Sequence, residues 1–325
     1  MRLLILGGTE FAGRALVDEG LARDWDVTVF NRGTRPPPPG VTALRGDRRD
    51  PATLVFDGEW DIVADTWSWE ASAVRDSANA LAGRAEHYAY ISSRSVYRDP
   101  VPAGADEGAP LVEASPDAGP TGYPQDKAGG ELAASAAFAE RALLVRAGLV
   151  LGPWENIGRL PWWLARIARG GRVLAPGPAD AGLQYIDVRD LAAWTLTAAE
   201  RGLGGPYNAV SPPGHTTMRE LLETCRTVTG SAAELVWTDP QPILAAGIEP
   251  WMDLPIWLPP GEDYAFMHGS DVSKALAAGL RCRPVAETVA GTWAWLQSLG
   301  RPPAQRPDRP SPGLDPAIEE QVLAR

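Results

Sequence analysis

Over its first 210 or so residues the chain repeats one pattern, a short apolar run followed by a turn and then a stretch of helical texture. The runs are Leu3–Leu6, Val27–Phe30, Val41–Leu44, Asp61–Ala64, Tyr88–Ile91, Leu143–Val145 and Tyr207–Val210. Strands separated by helices pair in parallel, because each return to the same sheet edge needs a crossover. The runs are nearly continuous in Val, Ile and Leu and do not alternate with polar residues, as strands covered on both faces require. The expected fold class is therefore α/β, a doubly wound parallel sheet. Helices are expected over Ala12–Leu21, Ala71–Gly83 and Ala128–Arg141, the last beginning beyond Pro124.

After Arg146 the texture changes to Gly-, Pro- and Trp-rich loops with helices near Leu160–Arg169, Leu191–Arg201 and Met218–Val228, which points to a smaller C-terminal substrate lobe. The expected division is 1–153 plus about 183–210 for the sheet domain and about 154–182 plus 211–300 for the lobe. A Pro-rich linker and terminal helix then occupy 301–325. Thr217 and Glu220 have capping-box spacing at one helix start, and Asp315 caps the last helix before Pro316. The Pro240–Gly261 stretch is equally consistent with an apolar substrate loop and with a plain connection. Glu319 and Glu320 read as solvated residues of the terminal helix.

Composition narrows the partners. The 30 Lys and Arg against 41 Asp and Glu give a net charge of −11, a surface sign that repels phosphate backbones and anionic lipid. Neither nucleic acid nor membrane is expected as a partner, and no apolar run approaches a spanning helix. The run Leu3–Leu6 is too short for a signal-peptide core. Only Cys225 and Cys282 occur, without Cys-x-x-Cys spacing, which fits a reducing cytoplasm. His87, His215 and His268 lack ligand spacing, so no metal is expected.

Gly7, Gly8 and Gly13 follow the first apolar run and open the first helix, where backbone amides and the positive helix end receive a pyrophosphate. The second run ends in Asn31-Arg32-Gly33, so the carboxylate that would hold the adenosine ribose is missing. Arg32, with Arg35 or Arg14, faces a 2′-phosphate instead, which favours NADP narrowly over NAD. Asp47 and Arg48, at the end of the third run, are expected beside the adenine. Glu10 fills the middle glycine slot of the Gly-x-x-Gly-x-x-Gly pattern and argues against NADP unless it turns away.

Tyr123 and Lys127 lie four apart at a helix start, hence on one face, and Ser92-Ser93 ends the fifth run, where ligands meet the carboxyl ends of parallel strands. Ser93 would bond a substrate carbonyl and Tyr123 would move its proton. Lys127 would hold the nicotinamide ribose and stabilise tyrosinate, help that a phenol titrating near ~10 requires at neutral pH. The 13 Trp outnumber the 7 Tyr and 5 Phe together, and Trp67, Trp69, Trp154 and Trp162 are expected to wall an apolar, ring-accepting substrate pocket.

Several segments together carry a family likeness: Gly7-Gly8-Thr9-Glu10-Phe11-Ala12-Gly13, Ile91-Ser92-Ser93-Arg94-Ser95-Val96-Tyr97, Tyr123-Pro124-Gln125-Asp126-Lys127 with Glu131, Arg146-Ala147-Gly148-Leu149-Val150-Leu151-Gly152-Pro153 and Gln184–Asp190. With them the chain resembles the extended or atypical short-chain dehydrogenase/reductases, grouped as NAD-dependent epimerases/dehydratases, and within these an isoflavone-reductase-like bacterial branch. The resemblance implies a Rossmann fold, Ser93, Tyr123 and Lys127 as the catalytic set, and Thr9, Phe11 and Ala147 among the cofactor contacts. It also implies structural roles for Asp187 and Asp190, and a homodimer by analogy.

The leading expectation is an NAD(P)-dependent reductase or dehydrogenase acting on a carbonyl or alcohol of a hydrophobic or aromatic small molecule. The alternative is a nucleotide-sugar epimerase or dehydratase with tightly bound NAD(P). A third reading, a dinucleotide-sensing or RNA-binding protein without catalysis, has no use for a proton donor such as Tyr123.

Overall fold

A computed structural model describes residues 1–324. Six strands are β1 (Arg2–Leu6), β2 (Asp26–Asn31), β3 (Thr42–Arg45), β4 (Trp60–Asp65), β5 (Ala85–Ser93) and β6 (Ala142–Ala147), joined in one sheet by the strand Gly205–Ala209. All pairings in this sheet are parallel, and the order is Gly205–Ala209, β6, β5, β4, β1, β2, β3. The chain reverses direction across the sheet at β1 and β4, the place where an open parallel sheet leaves a crevice at its carboxyl edge. This is the doubly wound Rossmann arrangement that the apolar runs foretold.

Helices α1 (Phe11–Ala22), α2 (Ala71–Leu81), α3 (Tyr123–Phe138), α4 (Arg159–Ala168), α5 (Val188–Glu200) and α6 (Met218–Thr229) carry most of the remaining order. Side chains alternate across a strand. Leu4, Leu6, Val63, Tyr88 and Tyr90 accordingly pack with α2 and α3, whereas Leu3, Val27 and Val29 lie against α1. Leu3, Leu4 and Ile5 are fully buried, so the first run is continuous because both faces are covered. Close approach of α3 to the sheet is set at Gly130, where a Cβ would come within 2.4 Å of the Tyr90 hydroxyl. Asp126 accepts from the Thr121 hydroxyl at 2.6 Å and from its N–H at 3.0 Å, while Pro124 sits in the first turn, so α3 begins at Tyr123 itself.

Two compact units divide the chain. The sheet unit comprises 1–148, 188–210 and 271–281, and the other comprises 149–187, 211–270 and 282–325. Residues 149–153 and 183–187 thus belong to the second unit and 271–281 to the first, shifts from the expected bounds; Arg325 lies outside the described residues.

Within the second unit the capping box of α6 has both halves, Glu220 N–H to Thr217 Oγ1 at 3.1 Å and Thr217 N–H to Glu220 Oε2 at 2.8 Å. Leu254, Ile256 and Trp257 are buried in this unit's core and the Trp257 indole donates to Gly177 O at 2.9 Å, which makes the 240–261 stretch a packed connection. The 301–313 segment is extended and tied down, Arg306 N–H to Asn156 O at 2.9 Å and Gly313 N–H to Met252 O at 2.8 Å. Glu319 is a correction to the sequence reading. It is buried, takes the Arg166 guanidinium at 2.7 and 3.0 Å and accepts the Leu174 N–H at 3.1 Å, so it clamps the terminal helix Pro316–Leu323 instead of facing water.

Candidate active site

The turn after β1 is shaped for close approach. Gly8 has φ +93°, and a Cβ on Gly13 would lie 2.7 Å from Gly8 N, so the loop folds flush onto the start of α1. Thr9 sits half-buried in that loop, and Phe11 opens α1 at φ +32°. No side chain caps α1, which leaves its first-turn N–H groups directed out of the carboxyl edge beside β1. An uncapped helix start behind a glycine turn fits a dinucleotide pyrophosphate.

At the end of β2, Asn31 donates to Gly7 O at 3.4 Å and accepts the Gly33 N–H at 2.9 Å, so this uncharged side chain ties the two loops together. Arg32 is exposed. Arg35 pairs with Glu10 at 2.6 Å, and Arg14 is held by Asp18 one turn along its own helix at 2.9 Å. Arg45, which sequence reasoning missed, is the register partner of Asn31 and runs alongside Gly33. Only the sheet register brings this further arginine to the same edge.

Arg48 departs from its expected place beside an adenine. Its guanidinium is buried and fully engaged, with Asp65 at both oxygens, Ser77 Oγ at 3.0 Å and Ala73 O at 3.3 Å. Burial alone would raise the Asp65 carboxyl, but the Arg48 charge and hydrogen bonds, with those from Tyr88 and the Trp67 N–H, hold it below the ordinary carboxylate range. The pair pins β4 to α2. Asp47 stays half-buried at the end of β3, its carboxylate closing a turn through the Arg49 N–H at 3.0 Å.

Lys127 is buried on α3 and donates to Ile91 O at 2.5 Å and to Trp67 O, the main-chain ends of β5 and β4. Tyr123, one turn earlier, is half-buried and adds to the electrostatic environment of buried Tyr90, whose phenol is pushed well above its usual value by burial first, then by Asp65 and Tyr123. Ser93 ends β5 opposite Ala147 of β6 and accepts the Ser95 N–H at 3.1 Å. Ser92 turns instead to Glu131, at 2.6 Å, which also takes the Arg146 guanidinium at 2.8 and 2.9 Å. Tyr123, Lys127 and Glu131 are thus successive turns of one helix face laid along the end of β5.

The tryptophans divide. Trp67 and Trp69 stack edge-on at 4.9 Å beyond β4, with the Arg48 and Arg49 guanidiniums 5.0 and 5.6 Å from the Trp67 ring. Beside them a cavity of about 350 Å³ is lined by Arg48, Arg49, Glu70 and Asp76, so the surroundings are charged as well as aromatic. Trp154 and Trp162 belong to the other unit. Trp162 is half-buried and packs edge-on against Trp163 at 4.7 Å with Gly313 pressed on its indole; Trp154 is half-buried there at φ +63°.

A parallel Rossmann sheet with a glycine turn before α1 and a Tyr-x-x-x-Lys pair on α3 is the architecture of the short-chain dehydrogenase/reductase type. The model of the NAD dependent epimerase/dehydratase family matches residues 3–209, and the chain belongs to that family. The epimerase family protein SDR39U1 of Bos taurus is 28% identical over 257 residues, covering 72% of this chain and 82% of that one. The UDP-glucose 4-epimerase of Thermus thermophilus, solved with NAD, superposes with a TM-score of 0.64 at 22% identity, covering 91% of this chain and 99% of its own. The Bordetella bronchiseptica enzyme WbmG, solved with NAD and UDP, gives a TM-score of 0.67 at 18% identity, covering 96% and 99%. Among the described residues no helix is long and apolar enough to cross a membrane, and no group of three or more His, Cys, Asp or Glu side chains could hold a metal ion.

Proposed function

We propose that the protein is an NAD(P)-dependent enzyme that works on a secondary alcohol or carbonyl carbon of a small molecule, with Tyr123 as general acid/base, Ser93 as the hydroxyl that bonds the substrate oxygen, and Lys127 as the group that holds the ribose. The observation that carries this reading is the buried ammonium of Lys127, held at the carboxyl ends of β4 and β5 one helical turn from Tyr123. A fixed positive charge on the same helix face as the phenol stabilises negative charge that develops as a proton moves, which is what an acid/base pair needs. The glycine turn and the start of α1 would take the pyrophosphate, and Asn31, Arg32 and Asp47 would border the adenosine. When bound, the nicotinamide supplies a hydride acceptor or donor. Tyr123 removes the hydroxyl proton as the carbon is oxidised and returns it on reduction, while Ser93 keeps the oxygen in place.

Two fates of the hydride remain distinct. The epimerase names of the relatives favour its return to the same substrate, with no net redox and a retained cofactor. The edge-on Trp67–Trp69 pair favours release to a ring-bearing substrate as net reduction. Native mass spectrometry of the purified protein separates them. Retained dinucleotide, with turnover of a nucleotide sugar and no net absorbance change at 340 nm, supports the cycle; an empty protein that oxidises added NADPH stoichiometrically with an aromatic ketone supports the reductase. Failure to bind either dinucleotide overturns the whole reading.

A further inference from the structure

We propose that Glu10 sets the choice between NADP and NAD in this chain, by occupying Arg35, the arginine that would otherwise engage a 2′-phosphate. This rests on the dinucleotide reading above. Glu10 stands in the middle position of the glycine turn, and its carboxylate meets Arg35 Nη2 at 2.6 Å, so the side chain spans from the loop after β1 to the loop after β2. Those two loops are already joined by Asn31, which bonds Gly7 O and the Gly33 N–H. The ion pair therefore closes over the end of β2, where an adenosine ribose lies in an open parallel sheet of this order.

The charges at this edge are Glu10, Arg32, Arg35 and Arg45, with Asp47 at the end of β3. Without Glu10 the three arginines would make a strongly phosphate-seeking cluster. With Glu10 on Arg35 one positive charge is cancelled, and a 2′-phosphate must either displace the carboxylate or bear its repulsion. A ribose with free hydroxyls meets neither cost. Pro36 biases the Arg35 backbone to the extended region, and from there its guanidinium reaches Glu10. Both partners are partly exposed, so the pair is weak enough to exchange and adjusts selectivity without being required for folding.

The test is isothermal titration of the full chain with NADPH and with NADH, for wild type, Glu10→Gln, Arg35→Gln and the double variant, each checked for an unchanged melting temperature. Gln keeps the main-chain carbonyl that accepts the Arg14 N–H. Glu10→Gln should raise the preference for NADPH over NADH by about three- to tenfold, the scale of one partly screened charge contact. Arg35→Gln in the Glu10→Gln background should remove that gain, while in the wild-type background it should move the ratio by less. A Glu10→Gln protein that binds both dinucleotides at the wild-type ratio overturns the inference alone. Absence of binding by wild type and variants alike overturns the dinucleotide reading and the inference with it.

Discussion

The Ser92 hydroxyl donates to the Glu131 carboxylate at 2.6 Å, and this bond separates the two adjacent serines at the end of β5. Ser92 faces α3 and is spent on structure, whereas Ser93 lies on the other side of the strand, where the proposed substrate role needs it. Glu131 simultaneously holds Arg146 through both carboxylate oxygens, and Arg146 reaches Tyr97 Oη at 3.1 Å and Glu107 O at 3.0 Å. The carboxylate thus anchors α3, and with it Tyr123 and Lys127, to β5 and β6.

Glu131→Ala should therefore cost far more than a lost surface pair. Both side chains are buried, and removing one leaves the Arg146 charge without its counter-ion, a loss of about 3–5 kcal/mol. Urea unfolding followed by circular dichroism would show the midpoint drop; a change below about 1 kcal/mol would mean that Arg146 finds another partner.

Tyr123→Phe removes only the phenolic oxygen. Turnover should fall by roughly 10²-fold or more, as for loss of a general acid/base, with dinucleotide affinity kept within about twofold. Lys127→Met should lower both affinity and turnover if Lys127 holds the ribose as proposed, because it removes that donor and the positive charge one helical turn from Tyr123. Equal losses of binding in the two variants would place Tyr123 in cofactor holding and not in proton transfer.

The Arg48–Asp65 pair gives an acid limb to stability. Asp65 is held below its unfolded value of about 3.9, so its contribution is complete above roughly pH 4 and is lost as pH falls through the depressed folded value. Asp65→Asn should flatten the stability profile below pH 4. At pH 7 the same variant should unfold at clearly lower urea, since Arg48 stays buried without its charge partner.

The sheet was legible in the sequence because strands covered on both faces appear as nearly continuous apolar runs, as at Leu3–Leu6 and, with Thr28 as its one polar member, Val27–Phe30. The glycine turn and the Tyr123–Lys127 spacing were legible because both are local geometry. Long-range charge pairing was not. Arg48 beside Asp47 looks like one end of an open loop until β4 brings Asp65 to it, and Glu319 looks solvated until Arg166, far earlier in the chain, reaches it. Arg45 was missed for the same reason, since its relation to Asn31 exists only in the β2–β3 register. The aromatic content did not say which tryptophans would be buried: Trp163 and Trp257 pack the core of the second unit.

Glu155 should give stability a second, opposite dependence on pH. Its carboxylate is fully buried in the second unit and accepts the Arg159 N–H at 2.6 Å and the Leu160 N–H at 3.2 Å, capping α4 from four residues upstream. Burial raises its pKa, and the Arg159 charge with the N–H groups of Arg159, Leu160 and Gly158 pulls it back only in part, leaving it at about 7. A carboxyl that binds its proton more tightly folded than unfolded favours the folded state below its unfolded pKa, and that advantage is lost as pH rises through the folded value. Wild-type stability should therefore fall between about pH 4.5 and pH 7 and level off above, by an amount on the order of 3 kcal/mol. Glu155→Gln keeps one acceptor for the helix start and cannot ionise, so its urea midpoint should change little between pH 5.5 and pH 8 from this source. A wild type and a Glu155→Gln variant with parallel pH profiles would show that the carboxylate is charged at both pH values and that the helix amides and Arg159 outweigh its burial.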